Sequence, residues 1–282
     1  MLAPRLAIDL SGSAVRVVIG SPGGRMWAAS AALPTGSSSH GTVTNGAEVA
    51  KVLKQVLAGA EFKESHALIV ANDALASFRV LSFPRDTSEP KIDAAVRAQL
   101  PMDGSRMGVQ RYELTHNGSD RTVFAVAFDR SRVHAIGEAV RLAGLDPTVV
   151  ELKSLCLARV APASDCVVVD LSVEPAEAYL ISGDIPRLWH TFWVPNDGSE
   201  AAAVATGIRS VLNFQRRQAN GRGLVATLPV YFTDQASVQR IGPAVSDLLG
   251  HSVSVTPHLP RVPPEVQEGP YLACLGLLMR RR

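Results

Sequence analysis

The feature that most constrains the fold of this chain is a six-residue pattern that occurs twice. Residues 6–11 (LAIDLS) and residues 167–172 (VVVDLS) each form an apolar run that ends in an aspartate and a hydroxyl residue. Apolar runs of this length predict buried β-strands. Each is followed by a second strand-like segment, at 15–20 and 177–182, so the two copies predict related lobes that open with the same hairpin.

Between and after these copies, strand-like and helix-like segments alternate along the chain, as is typical of α/β proteins. Asn45, with Glu48 three residues later, predicts a helix start, and Ser131 predicts another. Predicted strands lie at 5–9, 15–20, 66–71, 77–83, 109–114, 122–128, 166–170, 177–182, 188–193 and 229–232. Predicted helices follow Asn45, Ser88, Ser131 and Ser199, pass through 238–248, and close the chain at 271–279, while the proline-rich segment 256–270 predicts a loop or extended connection.

Composition excludes several classes of protein. The chain has 282 residues, of which 46% are apolar and 19% charged, so an intrinsically disordered protein is excluded. A net charge of only +2, with dispersed basic residues, argues against a nucleic-acid partner. Three widely spaced cysteines predict buried thiols in a reducing compartment, and the absence of a long apolar stretch predicts a cytoplasmic protein.

The two Asp-Leu-Ser turns carry the chemistry that the sequence suggests. A strand that ends in aspartate before a glycine-containing turn can bind phosphate, because glycine lets backbone N–H groups approach the anion. The carboxylate can hold Mg²⁺ through its water ligands. The alternative is structural, since aspartate before a turn commonly hydrogen-bonds its own backbone.

Several segments together give a more specific indication. Residues 8–18, 79–84, 98–101, 150–159, 207–215 and 273–277 follow one another in the order and spacing of the PilM-type actin-like proteins of type IV pilus assembly. The chain thus resembles that family, which is similar to FtsA and related to the cytoplasmic domain of GspL. The resemblance implies an α/β, actin-like (ribonuclease-H-type) two-lobed ATPase fold with an inserted 1C-type subdomain.

The resemblance also implies a division of the chain. Residues 1–160 would form the first lobe, with the 1C-like subdomain at about 84–145. Residues 161–282 would form the second lobe, whose final helix, 271–282, is expected to pack back on the first lobe.

In the family, the two turns hold ATP and Mg²⁺. If nucleotide binding is retained, the resemblance assigns it to Asp9, Ser11, Gly12, Ser13, Arg16, Asp170 and Ser172, with Asp9 and Asp170 as the magnesium ligands. The loops depart from the family pattern, however. Ser11 and Arg16 replace a glycine and a lysine, Glu174 and Pro175 follow the second turn, and residues 232–236 contain no glycine where the family packs a Gly-Gly turn on adenosine. These departures predict degenerate nucleotide loops and no catalytic residues.

The function implied by the resemblance is that of a non-enzymatic scaffold at the inner face of the inner membrane. Its expected partner is the cytoplasmic tail of a PilN-like inner-membrane protein, bound by residues around 78–130, and we predict contacts from Phe78, Val80, Leu81 and Phe83. Two alternatives stay open: an active ATPase or kinase of the same fold, and a GspL-like component of type II secretion. The sequence predicts no particular oligomeric state.

Overall fold

A computed structural model describes residues 5–39, 41–60, 64–101, 106–114, 120–218, 227–260, 262–267 and 269–280. In the first half, the elements are β1 Arg5–Asp9, β2 Ala14–Gly20, β3 Met26–Ala32, β4 Ser38–Ser39, β5 Thr42–Val43, α1 Gly46–Leu57, β6 His66–Ala71, β7 Ala76–Pro84, α2 Glu89–Gln99, β8 Met107–Leu114, β9 Asp120–Asp129, α3 Arg130–Leu142, β10 Asp146–Leu152 and α4 Lys153–Val160. In the second half, they are β11 Asp165–Asp170, β12 Ala176–Ser182, β13 Pro186–Phe192, α5 Glu200–Gln218, β14 Val230–Phe232, α6 Gln235–Leu249, β15 Val253–Val255, α7 Pro264–Gln267 and α8 Leu272–Leu278.

Two five-stranded sheets with the same topology form the two lobes. The strand order is β10-β6-β1-β2-β3 in the first sheet and β13-β12-β11-β14-β15 in the second. In each sheet the central strand pairs antiparallel with the strand that follows it and parallel with the next strand of the sheet. The repeated sequence therefore forms equivalent central strands, β1 and β11, as the duplicated pattern predicts.

Three hydrophobic cores hold these sheets. The outer face of the first sheet packs on α1 and α3, and that of the second packs on α5 and α6. A third core lies between the lobes and contains α4 and α8. The closing helix α8 packs against α4, β1 and β6, so the end of the second half lies on the first lobe. This third core joins the first sheet to the second.

A small three-stranded sheet, in the order β7-β9-β8, is inserted in the first lobe. Helix α2 covers one face through Ile92 and Val96. Helix α3 packs on α1 rather than on this sheet. The whole of β7 pairs with β9 in this sheet, and the predicted bounds of the subdomain, about 84–145, stay a prediction.

Local signals explain most element boundaries, with one correction. The side chain of Asn45 accepts a hydrogen bond from the Glu48 backbone and caps α1, as predicted. Helix α3, by contrast, is capped by Asp129, whose carboxylate accepts from the backbone of Ser131, so the prediction that Ser131 caps this helix was wrong. The predicted strands did not include β3, β10, β15 and the two-residue strands β4 and β5. Among the described residues, no helix combines the length and apolar character needed to cross a membrane.

Candidate functional site

The two aspartate turns meet in the cleft between the lobes, with both carboxylates buried. The backbone N–H of Ser11 donates to Oδ1 of Asp9 over 2.8 Å, and that of Ser172 donates to Oδ1 of Asp170 over the same distance. Each aspartate thus closes its own turn, which is the structural role that such a residue commonly has. The duplicated sequence produces a duplicated geometry.

The turns lie against each other. A Cβ atom placed on Gly12 would stand 3.1 Å from Cγ1 of Val173, which follows the second turn. Arg16 crosses the cleft, with its Nη2 3.5 Å from the carbonyl oxygen of Ser172 and its Nη1 3.7 Å from Oδ2 of Asp9. Val173 and Arg16 therefore lie between the two turns, where a triphosphate clamped by both would have to pass.

A buried lysine that the sequence analysis missed lies at the centre of the cleft. Lys153 begins α4, and its side chain is only 2% exposed. Its Nζ stands 2.6 Å from Oδ2 of Asp170 and 2.6 Å from Oε2 of Glu177. The hydroxyl of Tyr179 donates to the same Glu177 oxygen over 2.5 Å. A lysine between Leu152 and Ser154, in an otherwise largely apolar segment at a strand–helix junction, was the available signal, because a buried lysine needs a partner.

Asn72 extends this network to the first turn. Its Nδ2 donates to the carbonyl oxygen of Ser11 over 2.7 Å and to Oε1 of Glu177 over 3.0 Å. One amide group therefore joins the first turn to a strand of the second lobe. In total, Asn72, Lys153 and Arg16 each reach from the first lobe to the second.

The charges around Lys153 and Asp170 favour the ionised form of both side chains. Burial disfavours the ammonium, but the carboxylates of Asp170 and Glu177 outweigh it and raise the pKa of Lys153 above its ordinary value. Burial likewise disfavours the carboxylate of Asp170, yet the charge of Lys153 lowers its pKa to about 2. Both shifts have the sign expected of an ion pair, so Lys153 and Asp170 are charged at neutral pH.

The neighbouring Asp73 behaves differently. It accepts hydrogen bonds from the backbone N–H of Ser154 over 3.0 Å and from the Ser154 hydroxyl. Burial raises the pKa of Asp73 to about 7, and the charge of Glu177 adds to the rise. The two hydrogen bonds from Ser154 lower the pKa but do not outweigh burial. Because Asp73 begins the turn that leads into β7, a carboxyl that titrates near neutral pH lies between the cleft and the small sheet.

These residues do not fit a magnesium–nucleotide complex. Oδ1 of Asp170 already accepts from the backbone and hydroxyl of Ser172 and from the hydroxyl of Thr233, and Oδ2 is bound to Lys153. Lone pairs that would bind Mg²⁺ or its waters are therefore used within the chain. The segment expected to pack on adenosine instead starts α6, since Asp234 caps this helix by accepting from the backbone of Ser237. Among the described residues, no cluster of three or more potential metal ligands is present.

The predicted partner-binding residues lie on both faces of the small sheet. Phe78 and Val80 belong to the apolar face that is turned towards α4, where Phe78 stacks on Phe124 with 5.5 Å between ring centroids. Leu81 and Phe83 point to the opposite face and pack with α2. Alternation along β7 separates the two pairs, so one ligand cannot contact all four on the same surface.

An apolar groove of about 990 Å³ lies between the small sheet and the first lobe. Its floor is the face of the small sheet opposite α2. Its wall comes from the β10–α4 junction and the β12–β13 hairpin. Its apolar lining includes Tyr112, Phe124, Val126, Leu152, Leu155 and Ile185. Tyr112 is 49% exposed and is one of the large apolar side chains on the surface of the described part of the chain.

Comparison with known proteins gives structural likeness only. No protein-family model matches the chain, and no curated protein matches it. Among solved structures, a PilM–PilN type IV pilus biogenesis complex is similar with a TM-score of 0.70 and 20% identity, covering 98% of this chain and 97% of that one. The cytoplasmic domain of EpsL, an inner-membrane component of the Vibrio cholerae type II secretion system, gives a TM-score of 0.55 at 12% identity, with 99% and 97% covered.

A third similar structure is a Bacteroides thetaiotaomicron protein described as having an actin-like ATPase fold, with a TM-score of 0.52, 13% identity and coverage of 99% and 96%. These likenesses extend over nearly the whole chain, and they agree with the two sheets of identical topology. The chain therefore has the two-lobed, actin-like α/β fold, and the fold class predicted from its sequence is confirmed.

Proposed function

We propose that this chain is a non-enzymatic, PilM-type scaffold of a type IV pilus or related secretion platform. It binds the cytoplasmic tail of a PilN-like inner-membrane protein, and this partner holds it at the cytoplasmic face of the inner membrane. The observation that carries the proposal is the apolar groove between the small sheet and the first lobe. The likeness to a PilM–PilN complex over 98% of the chain supports the choice of partner.

The groove has the chemistry of a peptide-binding site. Helix α2 covers one face of the small sheet, and Phe124 and Val126 of the other face are buried at the floor of the groove. Leu152 and Leu155 present aliphatic side chains from the opposite wall. A preformed apolar groove of this kind accepts an extended or helical segment that inserts a few apolar side chains.

The rim of the groove orients the peptide. At one end Glu151 pairs with Arg159, and Arg280 lies 3.6 Å from the same carboxylate. Two arginines face one carboxylate here, so this end of the groove is polar and excludes the apolar part of a ligand. The tail is therefore expected to place its apolar residues against Tyr112, Leu152 and Leu155.

Binding of the tail is the direct test. The probe is a synthetic peptide with the sequence of the cytoplasmic tail encoded by the adjacent gene for a single-span membrane protein, and affinity is measured by calorimetry. We expect Tyr112→Ala to weaken binding by about tenfold or more, as loss of a central aromatic anchor does. Leu248→Ala is the matched control, because Leu248 is an exposed apolar residue of α6 outside the groove. Equal affinity of wild type and Tyr112→Ala would refute the groove assignment.

An active ATPase or kinase is the second candidate, favoured by one atom. Oγ of Ser11 is buried and makes no hydrogen bond within the described part of the chain, so this hydroxyl could donate to a phosphate oxygen. Calorimetry with Mg-ATP separates the candidates. Micromolar binding that is lost in Asp9→Ala would favour the enzyme, and absence of binding would favour the scaffold. A GspL-like component of type II secretion would instead bind the tail of a type II secretion membrane protein.

A further inference from the structure

The cleft contains a cation that belongs to the chain itself. Lys153 projects from the first turn of α4, directly after β10 of the first sheet, whereas its two partners, Asp170 and Glu177, lie on β11 and β12 of the second sheet. Both ion pairs therefore cross from one lobe to the other. We call these three residues the lysine latch.

The latch has the features of a built site rather than of a chance contact. All three side chains are almost completely buried, and both nitrogen–oxygen distances are 2.6 Å. The remaining polar atoms are satisfied, since Glu177 also accepts from Tyr179 and Asn72. A buried charge is tolerated when it is paired and its partners are hydrogen-bonded in this way.

The position of the latch decides what it does. Asp170 is the residue that the sequence predicts as a magnesium ligand of the second turn, and its Oδ2 is instead bound to the ammonium of Lys153. Val173 and Arg16 bring the two turns together beside it. The positive charge that a magnesium ion would bring to Asp170 is thus supplied by a side chain.

We propose that Lys153 is the resident cation of the cleft and holds the two lobes closed without nucleotide or metal. The closed arrangement is then a permanent property of the folded chain rather than a response to ATP. This inference rests only on contacts within the cleft, so a failure of peptide binding in the groove would not affect it.

Hydrogen exchange of the full chain tests the proposal. In Lys153→Met the two carboxylates stay buried without a cation, so we pair it with the triple variant Lys153→Met/Asp170→Asn/Glu177→Gln, which removes those charges as well. We expect amides of the turns, residues 10–16 and 171–176, to exchange about tenfold faster or more in the triple variant, while the small sheet stays protected. Lys51→Met, a change on an exposed face of α1, is the control.

Two results would overturn the proposal. One is a folded triple variant whose turn amides exchange as slowly as those of wild type, because the latch would then not hold the lobes. The other needs no variant: wild type that binds Mg-ATP with micromolar affinity would show that Lys153 does not occupy the cleft. Absence of Mg-ATP binding by wild type, together with faster exchange in the variants, supports it.

Discussion

Replacing Asp73 by asparagine should change how stability depends on pH. Asp73 is fully buried, and its pKa is raised from 3.8 to about 7. Between these values the folded protein keeps a proton that the unfolded chain has lost, so stability falls as pH rises through this range and levels off above pH 7. The shift of about 3 pH units corresponds to roughly 4 kcal/mol, at about 1.4 kcal/mol for each unit.

Asparagine is the appropriate replacement because it resembles the protonated acid. Its oxygen can accept from the Ser154 backbone, and its amide can donate to the Ser154 hydroxyl, so the geometry of both hydrogen bonds is kept. The variant should have stability close to that of wild type near pH 4. It should then become progressively more stable than wild type up to pH 7, by roughly 4 kcal/mol in all.

Urea unfolding of both proteins, followed by circular dichroism at pH 4, 5, 6, 7 and 8, measures this difference. Other titrating groups cancel in the comparison, because they are shared by the two proteins. Asp86→Asn, at an exposed position before α2, is the control and should show a constant difference from wild type. A difference between Asp73→Asn and wild type that does not change with pH would refute the reasoning.

Three further outcomes follow from the packing. Lys153→Met should lower the free energy of unfolding by about 3–5 kcal/mol, since it leaves two buried carboxylates unpaired, and a loss below about 1 kcal/mol in urea unfolding would contradict this. Gly276→Ala should cost about 3 kcal/mol or more in the same assay, because its Cβ would lie 1.9 Å from the carbonyl oxygen of Cys156, and wild-type stability would contradict the close contact of α4 and α8. All three cysteines are buried, and burial raises the pKa of Cys166 to about 11, so the thiols should react with a thiol reagent at pH 8 only on unfolding. Rapid labelling of the native protein, monitored by mass spectrometry, would be inconsistent with this.

Much of the fold could be predicted from local sequence. The two runs before Asp9 and Asp170 are apolar at every position, which identifies central strands buried on both faces. Their repetition then indicates two lobes of one topology. Helix α1 was predictable to its first residue because the capping signal of Asn45 is local.

Other elements carry weak local signals. Strand β3, Met26–Ala32, has four alanines among its seven residues, so it has little β propensity of its own and forms because β2 offers a paired edge. The packing of α3 on α1 joins segments about 85 positions apart in the sequence, to which no local pattern refers.

The cleft was the part of the site that the sequence described least well. The duplicated aspartates were identified from their pattern, but the pattern left phosphate binding and turn closure as alternatives. In the structure, the ammonium of Lys153 contacts both Asp170 and Glu177 from the other lobe. Periodicity and capping depend on neighbours within a few residues, so the sequence by itself determined the elements and their duplication. Which buried charges meet depends on how the two sheets pack, and only the tertiary structure decided that.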